Sequence, residues 1–233
     1  MNTSWHTQPM AAFDIESTGL DVESERIVTA ALWRIDPARG TKEVTAWLAD
    51  PGIEIPAAAT DIHGVTTEQA RAQGRPAIEV VTEIVAALEA VVADGLPVVV
   101  YNAPYDLTLL DREVARHGLP PLTLPPVVLD PLVLDKRVDT YRRGSRKLVD
   151  VCSHYDVPLT QEEAHGAACD ALAAARLAWR LATEYPEIAE MSAADLHTAQ
   201  VKWKAEQAAS FQEYLRRRDP EAVVDGAWPY VPA

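Results

Sequence analysis

Asp14 and Glu16 stand two residues apart at the end of an apolar run, Ala11-Ala12-Phe13-Asp14-Ile15-Glu16, and the turn Ser17-Thr18-Gly19-Leu20 follows. Residues i and i+2 of a β-strand project from the same face, so this spacing predicts two carboxylates side by side. Carboxylates that close repel each other unless a cation or a shared proton lies between them. Two further acidic stations follow downstream. Asp106 falls in the first turn of a predicted helix that begins where the apolar stretch 97–101 ends. Asp170 lies early in an otherwise apolar, Ala-rich helix, five residues after His165. Each feature has an ordinary explanation alone: an acidic strand tip, an acid favoured by a helix dipole, a histidine on a surface loop. Brought to one place they could coordinate hard divalent cations through oxygen, with an imidazole beside them to exchange a proton near neutral pH.

The elements that must position these residues are legible in outline. Residues 10–16 read as a first strand, and 27–35 and 43–48 as a second and third joined by the turn Asp36-Pro37-Ala38-Arg39-Gly40. The first two strands can pair antiparallel. Thr66 or Thr67 can cap a short helix. Residues 77–92 carry Ile78, Val81, Ile84, Val85, Leu88 and Val92 at helical spacing. The continuous apolar run 97–101 has the pattern of a central parallel strand buried on both faces. Loops at the carboxyl ends of such strands are where α/β proteins place their sites. A helix from this loop stops at Gly118, a short fifth strand at 127–129 is closed by Asp130-Pro131, and helices follow at 148–155 and 167–185. The expectation is an α/β fold, a mixed five-stranded sheet flanked by helices. Residues 1–185 are expected to form one domain, with a loose arm over 1–9. Residues 186–233 are expected to form a C-terminal helical extension, with a helix over 193–218, that packs on this domain or joins two copies as a homodimer.

A formal net charge of −14 over 233 residues argues against broad electrostatic binding of nucleic acid. It does not exclude a nuclease, because bound divalent cations reverse the field around a carboxylate cluster. The densest basic run is Lys136-Arg137, Arg142-Arg143 and Arg146-Lys147. It is expected either to hold a phosphate backbone or to be a solvated loop. Cys152 and Cys169 lack the spacing of zinc or redox sites and are expected to be buried fillers in a reducing compartment. The amino-terminus lacks a signal-peptide pattern and charges interrupt every long apolar run, so the expectation is a soluble cytoplasmic chain without a membrane partner.

Taken together and in order, Asp14-Ile15-Glu16-Ser17-Thr18-Gly19, Asn102-Ala103-Pro104-Tyr105-Asp106 and His165-x4-Asp170 resemble the three motifs of the DEDDh exonucleases. That family includes the epsilon-type proofreading subunit of bacterial replicative polymerases, ribonuclease T and oligoribonuclease. The resemblance runs from about residue 10 to residue 185 and implies a ribonuclease H-like fold. It implies that Asp14, Glu16, Asp106 and Asp170 bind two divalent cations, Mg²⁺ or Mn²⁺, and that His165 is the general base. It also implies that Thr18, Gly19 and Leu20 contact the terminal nucleotide. His63-Gly64-Val65-Thr66 is similar to the family element that lines the substrate cleft, and Asn102 and Tyr105 would meet substrate from the second motif. Gly166 stands where the family's tyrosine branch has its tyrosine, and Tyr101 and Tyr105 stand where many members have His and Phe. The implied activity is metal-dependent 3′–5′ hydrolysis of DNA, single-stranded or frayed, releasing nucleoside 5′-monophosphates, as in DNA proofreading beside a DNA polymerase. RNA trimming, or a polymerase-associated binding module in which cleavage is secondary, are the alternatives, since nothing in the motifs separates the two sugars.

Overall fold

Alternation along the first strand divides the molecule into two cores. In β1 (Met10–Ser17), Ala11, Phe13 and Ile15 point into one apolar cluster, while Met10 and Ala12 point into another. The second face continues to Asp14 and Glu16, so the acids emerge where the apolar pattern of that face ends. The computed structural model describes residues 4–123, 125–160 and 164–232.

β1 pairs antiparallel with β2 (Ile27–Asp36), which pairs antiparallel with β3 (Thr41–Asp50) through the expected hairpin. A short helix α1 (Ala57–His63) ends on Gly64 in the left-handed conformation, φ 76°. Thr66 then caps α2 (Thr67–Gln73) through a reciprocal capping box with Gln69. The sheet has six strands rather than five, because Arg75–Pro76 forms a two-residue strand, β4, parallel to the end of β3. Two residues leave no periodicity to read, and proline is tolerated there because the strand lies at the sheet edge. Gly74 permits the close approach: a Cβ there would lie 2.6 Å from the backbone of Ala49 and Asp50.

α3 (Ala77–Ala93) buries Val80, Val81, Ile84, Leu88 and Val91 in the first core. The central strand β5 is Val98–Val99, paired parallel to β1, and α4 (Ala103–Arg116) covers the same face as α3. β6 (Val128–Leu129) completes the order β4-β3-β2-β1-β5-β6. α5 (Pro131–Val138) and α6 (Leu148–His154) lead to α7 (Ala167–Glu184), whose alanines let it lie against β1 and β2 to form the second core.

After the one-turn α8 (Pro186–Ala189), α9 (Ala193–Leu215) packs against α5 and β6. The chain then turns back, and Trp228 enters the first core beside α4 residues. Residues 5–7 are no loose arm: Trp5 is buried in a single 3-10 turn and its Nε1 donates to the Ile188 carbonyl at 3.0 Å. A large indole with a backbone acceptor in reach holds the start of the chain against its late helices. Cys152 is buried as expected, but Cys169 is exposed, on the face of α7 turned away from the sheet. No helix among the described residues is long and apolar enough to cross a membrane.

Candidate active site

The four acids surround the end of β1, each delivered by a different local device. β5 pairs with β1 only at Ala11 and Ala12, so the Ile15 N–H on that edge has no strand partner. Asp106 takes it instead: its Oδ1 accepts from Ile15 N at 2.9 Å while the side chain is 3% exposed. The turn before it is tight, with Asn102 in the left-handed region at φ 61° and Pro104 in the first turn of α4.

Asp130 fixes that turn. Its carboxylate accepts from the backbone N–H groups of Asn102 at 2.9 Å, Ala103 at 3.0 Å and Leu132 at 3.0 Å, and from Trp228 Nε1 at 3.3 Å. In the sequence Asp130 looks like a strand stop before a proline. The Asp-Pro pair announces the cap of α5, but the three partners outside that cap have no local signal.

From the opposite face, α7 presents Asp170. The His165 N–H donates to both of its carboxylate oxygens at 3.2 Å. His165 itself has φ 68°, a conformation β-carbon residues rarely adopt, whereas Gly166 is extended at φ −110°. The unusual backbone of this loop thus lies at the histidine, held by Asp170, and not at the glycine beside it. Glu16, His165 and Asp170 each place a potential ligand atom within 4.8 Å of the other two.

Electrostatics express the same crowding. Burial, then the charges of Asp106, Glu16 and Asp170, hold the Asp14 carboxyl well above its ordinary range. Burial, then Asp170 and Asp106, push Glu16 up to about 8. Burial raises Asp106 strongly, against the bond from Ile15, and raises Asp170 against the bond from His165. Like charges gathered in partial burial, with oxygen donors and room beside Glu16, fit a hard divalent cation.

A cleft of about 390 Å³ adjoins the acids, lined by Glu16, Thr18, Gly19, Leu20, His63 and Tyr105 among others. Leu20 is 88% exposed at its rim. Thr18 is buried, and its hydroxyl holds the turn, donating to Glu25 and accepting from Arg26 N at 2.9 Å. Glu25 in turn crowds Gly19, where a Cβ would meet its carboxylate at 2.8 Å. The Tyr105 hydroxyl bonds to Ser17 Oγ and the Gly19 carbonyl. His63 Nδ1 accepts from Val65 N at 3.2 Å, and burial lowers the pKa of the ring. A neutral ring that accepts at Nδ1 carries its proton on Nε2, which is buried beside the Ser17 backbone. Asn102 does not line this cleft; its place is in the turn that starts α4. Tyr101 also turns away, its hydroxyl donating to the Arg146 carbonyl at 2.6 Å.

The basic run, expected either to hold a phosphate backbone or to be a solvated loop, is in part tied down within the fold. Buried Asp135 accepts from Arg142 Nη2 at 2.7 Å and also binds Arg146, and Arg142 Nε reaches Asp139 at 3.1 Å. Those two arginines are anchored from below, while Arg143 remains exposed.

A family model described as exonuclease matches residues 11–178. A curated relative, the DNA polymerase III subunit epsilon-like protein of Rhodobacter capsulatus, is 39% identical over 103 residues, 43% of this chain and 14% of its own length. Among solved structures, one of exonuclease I described as suggesting how processivity is achieved aligns with TM-score 0.67 and 18% identity, over 78% of this chain and 42% of that one. E. coli exonuclease I in complex with a dT13 oligonucleotide aligns with TM-score 0.64 and 17% identity, again over 78% and 42%. The chain thus spans well under half the length of these relatives.

Proposed function

Because the chain belongs to the DEDDh exonuclease family, we propose that it hydrolyses phosphodiester bonds from the 3′ end of a nucleic acid strand, DNA first, releasing nucleoside 5′-monophosphates. The observation that carries this reading is the convergence of Asp14, Glu16, Asp106 and Asp170 with His165 beside Glu16 and Asp170. Asp14, Glu16, Asp106 and Asp170 would hold the divalent cations, Mg²⁺ or Mn²⁺. Two such ions would supply Lewis acidity, polarising the scissile phosphate and favouring ionisation of an attacking water.

The remaining work falls to the chain itself. His165 takes up the proton of that water on a ring nitrogen, its backbone fixed by the Asp170 carboxylate so that the ring stays near Glu16 and Asp170. The cleft beside Glu16 receives the terminal nucleotide. Its sugar and base meet Leu20 and Tyr105, with His63 forming part of the cleft wall. Tyr105 is pinned by Ser17 and the Gly19 carbonyl, so it forms a fixed wall rather than an adaptable one. The epsilon-like relative and the oligonucleotide carried by exonuclease I support a single-stranded or frayed DNA end as the substrate.

The test is degradation of 5′-labelled single-stranded DNA and RNA of matched sequence in Mg²⁺, Mn²⁺ and EDTA. We expect shortening from the 3′ end, loss of activity in EDTA, and a fall of at least about 10³-fold for Asp14→Ala and for His165→Ala. Full activity in either variant would overturn the assignment. Faster degradation of the RNA would move the substrate to RNA trimming.

A further inference from the structure

A second groove lies between α5 and α9, about 520 Å³ in volume. Its charged lining is Lys136, Arg142, Arg146 and Lys204, with no aspartate or glutamate among the lining residues, in a chain whose net charge is −14. Asp135 and Asp139, the acids nearest the two arginines, are engaged from beneath. Neither Lys136 nor Lys204 forms an ion pair among the described residues, and the acid that acts on both is buried Asp130, itself committed to backbone N–H groups. Burial, and then the charge of Lys204 beside it, lower the pKa of Lys136. With Arg142 and Arg146 paired to Asp135 and Asp139, the positive charge the groove keeps open to a ligand is that of Lys136 and Lys204, held near each other.

Aromatic faces accompany the charge. Phe211 and Tyr214, one turn apart on α9, line the groove while 53% and 52% exposed. Their rings are nearly parallel, 13° between planes with centroids 6.4 Å apart. The Arg217 guanidinium lies 6.0 Å from the Tyr214 ring. In an adjoining smaller pocket, which Glu206 also lines, Arg137 covers Trp203 at 5.2 Å. The inner wall is tied to the turn that starts α4 by the hydrogen bond from Tyr101 to the Arg146 carbonyl.

We propose that the α5–α9 groove is a second binding site, outside the catalytic cleft, for single-stranded nucleic acid. Cations along a groove track a phosphate backbone, and open aromatic faces accept unstacked bases, which a duplex does not offer. An acidic peptide would satisfy the lysines but leave Phe211 and Tyr214 without stacking partners. The site lies beyond residues 11–178, in part, and needs α9 to exist. The proposal rests on the exonuclease reading only for the direction in which a bound strand would be fed to the acids.

The test uses the full chain in EDTA, with anisotropy of 5′-labelled oligothymidylates of about four and about 20 nucleotides, at two salt concentrations. The variants are F211A/Y214A and K136Q/K204Q, checked for folding by circular dichroism. We expect the aromatic pair to weaken binding of the longer strand by about tenfold or more. The lysine pair should weaken it and flatten its salt dependence by about 1.4 in log–log slope. Hydrolysis of the short strand in Mg²⁺ should be unchanged in the aromatic variant. Wild-type affinity for the longer strand in folded F211A/Y214A would overturn the proposal, as would competition by poly-glutamate that matches that of oligothymidylate. Groove-dependent binding by a wild-type chain that hydrolyses nothing would instead overturn the exonuclease reading and leave the groove standing.

Discussion

Glu16 is a carboxyl that binds a proton where most carboxyls have lost theirs. Its pKa is pushed up to about 8 by burial and by Asp170 and Asp106, and Asp14, Asp106 and Asp170 are raised with it. Between the ordinary carboxylate range and about 8, the folded metal-free protein therefore binds more protons than the unfolded chain. Stability then falls as pH rises through that window. The melting temperature of EDTA-treated protein should be lower at about pH 8 than at about pH 6. Mg²⁺ should restore more of it at the higher pH, and Glu16→Gln should remove part of the dependence. Differential scanning fluorimetry at both pH values checks this, at about 2–4 °C for each kcal/mol relieved. A flat profile for the metal-free protein would mean that the carboxylates do not repel one another. Residue types and spacing announced Asp14, Glu16, Asp106, His165 and Asp170, because strand alternation and helix entry are local properties. They could not announce the left-handed backbone of His165, which depends on an acid five residues later meeting its N–H.

Elements carry the acids to their places, and here the decisive residue is Asp130. Its carboxylate meets donors from the α4 turn, the α5 cap and the C-terminal tail. Asp130→Asn would set an amide NH₂ against groups that only donate, leaving buried N–H groups without acceptors. We expect a loss of about 2–4 kcal/mol, measured by urea unfolding, with a drop in turnover as the Asp106 turn loosens. A variant as stable and as active as the parent would show that the turn holds itself. The strands and helices of the core were legible because their periods repeat. β4 was not, since two residues at an edge have no period, and neither was the anchoring of Arg142 and Arg146 by Asp135, a pairing made by the fold.

Across the whole molecule, the part outside the matched family region is built into the domain. Gln200 Oε1 accepts from Asp130 N at 2.7 Å and its Nε2 donates to the Val128 carbonyl at 3.1 Å, so α9 serves in place of a further strand beside β6. Trp228 is buried and Val231 N donates to Thr108 Oγ1 at 2.9 Å, on the helix that carries Asp106. Truncation after residue 192 should lower the melting temperature by at least about 5 °C and expose apolar surface to dye. A truncated chain that melts like the parent would make the extension an ornament. Only the helical period of α9 was visible in the sequence; its polar grip on β6 arises from single glutamine and histidine side chains whose partners lie some 70 residues away.

The indole of Trp228 sits against the Asp130 carboxylate, one hydrogen bond from the turn that presents Asp106. An excited indole is sensitive to a nearby charge, so the molecule carries its own optical gauge of that turn. With Trp5, Trp33, Trp47, Trp179 and Trp203 replaced by phenylalanine, the remaining emission would follow the settling of the α4 turn without any attached label.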